Sequence, residues 1–461
     1  MIRCLVILLP VLLCAGCGST GAHSALPAPA GVDVDRALCL ATGLPGGADQ
    51  NSQARRSRRL ELARGAGVGL LRWEFLWSAV ERVRGDFNFE AYDRLVDASA
   101  AVETGWIGLL AYGNPWASAA TESDDKYPPD DPADFASYAG ATAAHFKDRI
   151  TRWEIWNEQN AGYRFWLPAA DPAGYADLLA AAAAAIRQAD PEARVAFGGT
   201  FFAPQGIPGA LEFIEDCYAQ RPDLGDYFDA MAVHPYMLYP PAVAPESKQA
   251  LPPFDYLEQR SLPEMIADIR AALDAHADGD KPIWITELGW PEFESVPAGQ
   301  QADYLARAYL LSLAAGVEYV CWFTLEDSVG HTAVWEDSFG LVPYDPDPTD
   351  GQDPEPKPAY RALETLSKVL SGTRFDSDLG AEGNLPPDVH LLRFATPDRG
   401  RQVLAVWSRG ADQTIDLEPS LPGYRFSGAF AMTGEALALD AEDGTSIDAG
   451  GDVIYLVEVA D

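Results

Sequence analysis

Positive charge is scarce in this chain: 33 Lys and Arg stand against 69 Asp and Glu over 461 residues, a formal charge of −36. Nucleic-acid affinity depends on cations that displace counterions, so the balance argues against a phosphate-backbone binder. Adhesion to anionic lipid by charge alone is equally disfavoured. Histidine is sparse too. The six (His23, His145, His234, His276, His331, His390) fall on separate stretches with no pair at ligand spacing, so no metal site is expected. No G-x-S-x-G elbow occurs, which disfavours serine-nucleophile chemistry. Gly65, Gly67 and Gly69 superficially match a dinucleotide loop but precede a strand-like run, so no cofactor is expected.

Long apolar runs are also lacking. The longest near the start, residues 5–13, follows Arg3 and ends in Cys14, Ala15, Gly16 and Cys17. It is too short to span a bilayer and has the form of an export signal. Ala15, Gly16 and Cys17 resemble a bacterial lipobox, with Cys17 the lipidated first mature residue and Cys14 where Leu is usual. An ordinary cleaved secretory signal is the alternative. The expectation is an exported, lipid-anchored envelope protein, otherwise periplasmic or secreted, whose only membrane contact is that anchor. Residues 18–32 are small and polar with prolines, which suits a tether. Cys39, Cys217 and Cys321 remain in the body, an odd number with wide gaps, and are expected to be buried free thiols.

What is abundant is core-forming material: 48 % hydrophobic residues, with 12 Trp and 18 Tyr. From residue 33 to about 370, short β-branched or aromatic runs alternate with longer Ala/Leu-rich stretches. Strand candidates are 37–41, 69–73, 106–111, 152–156, 194–198, 230–234, 282–286 and 319–323. Helical stretches such as 171–189, 262–277, 300–315 and 358–370 separate or follow them. Eight strand–helix units predict a (β/α)8 TIM barrel over 33–372. After Thr373 short strand candidates (390–394, 403–407, 414–417, 453–459) lie between Gly, Pro and Asp turns. They predict a small C-terminal β-sandwich over 373–461. The acidic, proline-rich stretch 343–358 fails the calcium-loop spacing and is read as a solvated loop.

Barrel chemistry sits where strands end. Glu158 closes the fourth strand candidate, preceded by Trp156 and Asn157; Glu287 closes the seventh, preceded by Thr286 and followed by Trp290. Two carboxyls delivered to one barrel mouth meet the needs of glycosidic cleavage. One protonates the departing oxygen, the other stabilises an oxocarbenium-like carbon, and retention calls for about 5 Å between them. Asn157 is suited to donate to a sugar hydroxyl beside the reacting carbon. Trp116, Trp290 and Trp322 offer apolar faces to sugar C–H surfaces, with core packing as the alternative. Glu154 is expected to serve structural pairing. Glu74 is a further acid near a strand end, and Glu326 and Asp327 could touch substrate.

Asn157–Glu158 and Thr286–Glu287 resemble the catalytic motifs of clan A retaining glycoside hydrolases, most closely family 39, the β-xylosidase, α-iduronidase and exopolysaccharide-hydrolase group. Further stretches carry the likeness: Gly67 to Arg72 with Trp77 and Glu81, Tyr112 to Trp116, His234 to Tyr236, Phe339 to Val342, and Lys357 to Tyr360. It spans residues 33–370. Gln159 departs from it, since proline usually follows the catalytic glutamate. The resemblance implies that Glu158 is the acid/base and Glu287 the nucleophile, that Arg72 sits near the nucleophile, and that His234 and Tyr236 frame both acids. It implies a carbohydrate substrate and no cofactor. A transglycosylase with the same two acids and a non-hydrolytic carbohydrate-binding protein on the same barrel are the alternatives.

Overall fold

The computed structural model describes residues 31–120, 124–202, 209–237, 243–248, 260–293, 296–328, 335–382, 385–410, 412–417, 426–438 and 446–458. The signal-like segment, Cys14, Cys17, nearly all of the tether, His23 and His331 lie outside them.

Each strand candidate of the first 370 residues forms a strand. These are β1 (Leu38–Ala41), β2 (Leu70–Leu76), β3 (Gly105–Ala111), β4 (Arg152–Asn157), β5 (Arg194–Phe201), β6 (Ala230–His234), β7 (Ile283–Leu288) and β8 (Tyr319–Trp322). They pair in parallel in chain order and close into a barrel, β1 beside β8. Local chemistry sets the helices between them. Pro172–Ala189 starts at Asp171, whose carboxylate accepts from the Gly174 amide, and stops at Asp190 before Pro191. Leu262–Ala275 opens with a Ser261–Glu264 capping box. Pro358–Leu370 is the last barrel helix.

One expectation about cysteine is corrected. Of the three, Cys39 and Cys321 form a disulfide, and Cys217 is a buried free thiol. The two are 282 residues apart, a separation that hides the pairing from any local reading. Closure of the barrel makes them register partners on β1 and β8, with Cα atoms 4.1 Å apart. They lie in an apolar floor with Ala41, Leu70, Ile107, Ala196 and Trp284.

Beyond the barrel come β9 (Arg374–Asp378), β10 (Val389–Ala395), β11 (Gln402–Ser408), β12 (Gln413–Asp416), β13 (Phe426–Ala431), β14 (Ala436–Leu437), β15 (Ser446–Ala449) and β16 (Ile454–Glu458). Six form a sheet in the order β14-β13-β16-β11-β10-β9, and β12 pairs with β15 separately. Side chains alternate with period two. Phe394, Val403, Ala405, Trp407 and Tyr455 join the barrel's core, while Leu391, Leu404, Val406 and Leu456 face Ile415 of the small sheet. At the seam the Trp407 indole donates to Glu246 Oε1 at 2.6 Å, and Arg307 approaches the same oxygen at 3.3 Å. β9, β13, β14 and β15 escape the sequence reading because most of their side chains are polar, small or exposed.

Candidate active site

The site is built on a buried ion pair. Arg72 of β2 donates to both carboxylate oxygens of Glu154 on β4, at 2.9 and 3.0 Å, and to Asn157 Oδ1 at 2.8 Å. Glu154 is fully enclosed and also accepts from the Gly199 amide at 2.9 Å and the Thr286 hydroxyl at 3.1 Å. Four donors thus meet this carboxylate, three on Oε1 and one on Oε2, the kind of compensation a buried carboxylate requires. Structural pairing, the role expected for Glu154, is what it has. Its anchor carries Arg72 upward, where a second guanidinium edge meets Glu287 Oε1.

Glu287, on β7, therefore receives Arg72 on one oxygen and the Tyr236 hydroxyl on the other, at 3.0 Å. Burial by itself would raise its pKa. Neighbouring His234, the Arg72 guanidinium and the Tyr236 hydrogen bond outweigh burial and hold Glu287 below the usual carboxylate range. It is pinned as an anion. Tyr236 shows the converse: burial, then the charges of Glu287 and Glu158, push its hydroxyl well above ordinary tyrosine, so it stays a donor.

Glu158 follows β4 with φ +47°, after Trp156 at +67°, so the strand end is held in an unfavourable backbone region. Cross-links to β5 secure it. The Glu158 amide donates to Gly199 O at 2.9 Å, Gln159 Nε2 to Gly198 O at 2.9 Å, and Asn160 exchanges two hydrogen bonds with Phe201. Gln159 thus stiffens by hydrogen bonding a turn where proline would stiffen it by its ring. Glu158 Oε1 lies 2.9 Å from His234 Nδ1, and His234 Nε2 lies 3.0 Å from Thr286 Oγ1. Thr286 gives its proton to Glu154, which leaves its oxygen free to accept from His234 Nε2. The other ring nitrogen, Nδ1, is the one that faces Glu158. Gly199 permits this approach, since a Cβ there would sit 2.1 Å from His234 Nε2.

Oxygens of Glu158 and Glu287 and a nitrogen of His234 all lie within 4.8 Å of one another. Among the described residues this is the one such cluster of possible metal-ligating groups. Its donor atoms are already engaged by Arg72, Tyr236 and Thr286, a set suited to handling protons.

The structure thus brings together Arg72, Asn157, Glu158, His234, Tyr236 and Glu287. The tryptophans fare differently. Trp290 and Trp322 are fully buried, stacked 6.1 Å apart, with their indole N–H groups donating to Val243 O and Phe339 O. Neither has an open face for a sugar; their packing beneath the mouth is the reason. Trp116 is half-buried, its N–H bound to Glu81 O and its ring covered by Arg84 at 4.5 Å. Glu326 and Asp327 turn away into structural pairs. Arg55, Arg59 and the Asp345 amide hold Glu326, and Lys357 with the Gly340 amide holds Asp327. Sequence reasoning missed the Gly199 contact and the aromatic run Tyr236–Phe339–Phe323. For the first, a Gly198–Gly199 pair inside a strand run was the available signal.

No family model and no curated relative matches the chain. Solved structures do. A family 39 glycoside hydrolase from the gut symbiont Bacteroides cellulosilyticus superposes with TM-score 0.74 at 22% identity, over 94% of this chain and 83% of that one. A family 39 β-xylosidase from Caulobacter crescentus gives 0.64 at 17%, over 94% and 98%. A family 30 endoxylanase from Clostridium papyrosolvens gives 0.60 at 13%, over 95% and 98%. At these identities the likeness shows the fold alone: this chain is similar, over nearly its whole length, to the structures of those glycoside hydrolases.

Proposed function

We propose that the chain is a retaining O-glycoside hydrolase acting on β-linked oligo- or polysaccharide through a covalent glycosyl-enzyme. The observation that carries this is the approach of Glu158 and Glu287 carboxyl oxygens to within 4.8 Å. Retention calls for carboxyls about 5 Å apart, whereas an inverting enzyme leaves room for water at about 6.5–9.5 Å. The electrostatics divide the labour. Glu287, kept anionic by Arg72 and Tyr236, attacks the anomeric carbon. Glu158 protonates the leaving oxygen and then, as a carboxylate, takes the proton of the incoming water, with His234 as its hydrogen-bond partner. Asn157 offers its Nδ2 amide to a hydroxyl beside the reacting carbon, because its Oδ1 is occupied by Arg72. A β-xylosidase and an endoxylanase among the structures of this fold motivate the β-linked reading, although an α-L-arabinofuranosidase shares the fold too. Export fits the same picture: a disulfide such as Cys39–Cys321 belongs to an oxidising compartment, in keeping with the signal-like N-terminus and a lipid anchor at Cys17.

The test is the anomer of the first-formed product, followed by proton NMR, on 4-nitrophenyl glycosides and β-linked oligosaccharides. Product of retained configuration supports the proposal. Inverted product overturns the nucleophile role of Glu287. Transfer to a sugar acceptor in preference to water points to a transglycosylase, and tight binding with no turnover to a binding protein.

A further inference from the structure

Along β2 the side chains facing the barrel axis are Leu70, Arg72 and Glu74. Leu70 belongs to the dry floor and Arg72 to the buried ion pair. Glu74 comes two residues further toward the mouth, roughly 7 Å up the strand, and is half-buried. The carboxyls of Glu154, Glu326 and Asp327 are each held by a cation and a backbone amide. Glu74 is different: the hydrogen bond described for it comes from a neutral group, the Tyr112 hydroxyl at the end of β3. Burial raises its pKa, offset in part by Tyr112 and by the charges of Arg72 and Lys126. A carboxyl can accept about four hydrogen bonds, so a half-buried one keeps acceptor sites open to a ligand. Its spare lone pairs lie at the mouth, close enough to Glu287 for each charge to bear on the other.

We infer that Glu74 is a specificity-determining residue: it accepts hydrogen bonds from hydroxyls of the sugar ring seated over Glu287, and so selects a neutral glycone and rejects a uronate. This rests on the glycosidase proposal above. Charge around the site points the same way. Glu74, Glu158 and Glu287 supply three carboxyls. The guanidinium of Arg72 is committed to Glu154 and Glu287, and Lys126 lies over the Tyr112 ring at 3.6 Å and is paired with Asp125 at 2.6 Å. A hydroxyl donor would add a hydrogen bond to Glu74, whereas a uronate would bring another carboxyl into a mouth that already holds three. The site built for hydroxyls discriminates strongly because its own polar group is otherwise left unpaired.

The experiment uses activated 2-deoxy-2-fluoro β-glycosides of glucose, mannose, xylose and glucuronic acid, which trap the glycosyl-enzyme. Intact-mass and peptide mass spectrometry follow its formation. Labelling of wild-type protein on Glu287 by any of them establishes the underlying mechanism independently of Glu74. For Glu74 the expectation is that a neutral sugar labels at least about 100-fold faster than the glucuronide. In Glu74→Gln the neutral rate should fall about 10- to 100-fold, chiefly through weaker binding, and the gap to the glucuronide should narrow. Tyr112→Phe, which leaves Glu74 in place but removes its orienting donor, should show a smaller change of the same sign and covers the case of a Gln variant that does not fold. Wild-type labelling by the glucuronide at the neutral rate, or folded variants that label like wild type, would overturn the assignment of Glu74 alone. A wild-type protein labelled by none of the four overturns both proposals.

Discussion

The floor and the mouth of this barrel are made by the same strands a few residues apart, yet they obey opposite rules. At the floor Cys39, Ala41, Leu70, Ile107, Trp284 and Cys321 are apolar, buried and stapled across the closing seam. At the mouth Arg72, Glu154, Glu158, His234 and Glu287 crowd charge into a space that burial penalises. The floor contributes stability that does not depend on chemistry. The mouth contributes chemistry at the expense of stability, and holds together only because each charge has a partner.

That contrast should break cleanly in both directions. The largest effect expected is on rate. Glu287→Ala should lower kcat by at least about 10⁴-fold on every substrate, with thermal stability nearly unchanged since Arg72 keeps Glu154. Glu158→Ala should spare substrates with good leaving groups in the first step and stall the second, giving a burst that added azide relieves. Activity of Glu158→Ala equal to wild type on oligosaccharide would remove it from the mechanism. Next in size, Glu154→Gln should destabilise the fold by about 3–5 kcal/mol, because it leaves Arg72 buried with half its partners. Denaturant unfolding measures this, and a loss below about 1 kcal/mol would contradict the central place given to that pair. At the floor, Cys39→Ala with Cys321→Ala should cost about 2–5 kcal/mol and leave kcat intact below the melting transition. A fall in kcat of the folded variant would mean that the floor shapes the mouth.

Two smaller effects sharpen the comparison. Tyr236→Phe removes a hydrogen bond that lowers the Glu287 pKa. The acidic limb of kcat/KM should therefore move to higher pH, and an unmoved limb would detach Tyr236 from Glu287. The last concerns the seam between barrel and sandwich, where Asp303 is raised from 3.8 to about 7 by burial and by its hydrogen bond to Asp452, with Arg307 opposing and Glu246 adding to the effect. The folded state holds this proton between those two values while the unfolded chain releases it. Stability is therefore lost as pH rises from about 4 to about 7, and the full penalty applies above that. Asp303→Asn should raise Tm by about 2–4 °C at pH 8 and by nothing measurable near pH 4.

Much of this molecule was legible in its residues taken in order. Eight runs of β-branched and aromatic side chains separated by capped, Ala-rich helices specify strand and helix by local period and end chemistry, and their number specifies closure. The two acids were legible because each terminates an apolar strand in company with Asn157 or Thr286. What the chain order could not disclose were relations across it. Cys39 meets Cys321 only because closing the barrel sets the first strand beside the last. Trp290 and Trp322 read as sugar platforms until packing buried both rings, since the same aromatic surface serves a core or a ligand equally well. Glu326 and Glu74 are the same side chain near the ends of barrel strands. Arg55 and Arg59, from a helix more than 260 residues away, bind the first, while the second is left facing the mouth with a tyrosine. Local sequence determines where a carboxylate sits along a strand; only the folded neighbourhood supplies or withholds the cation that decides whether it is structural or free to act.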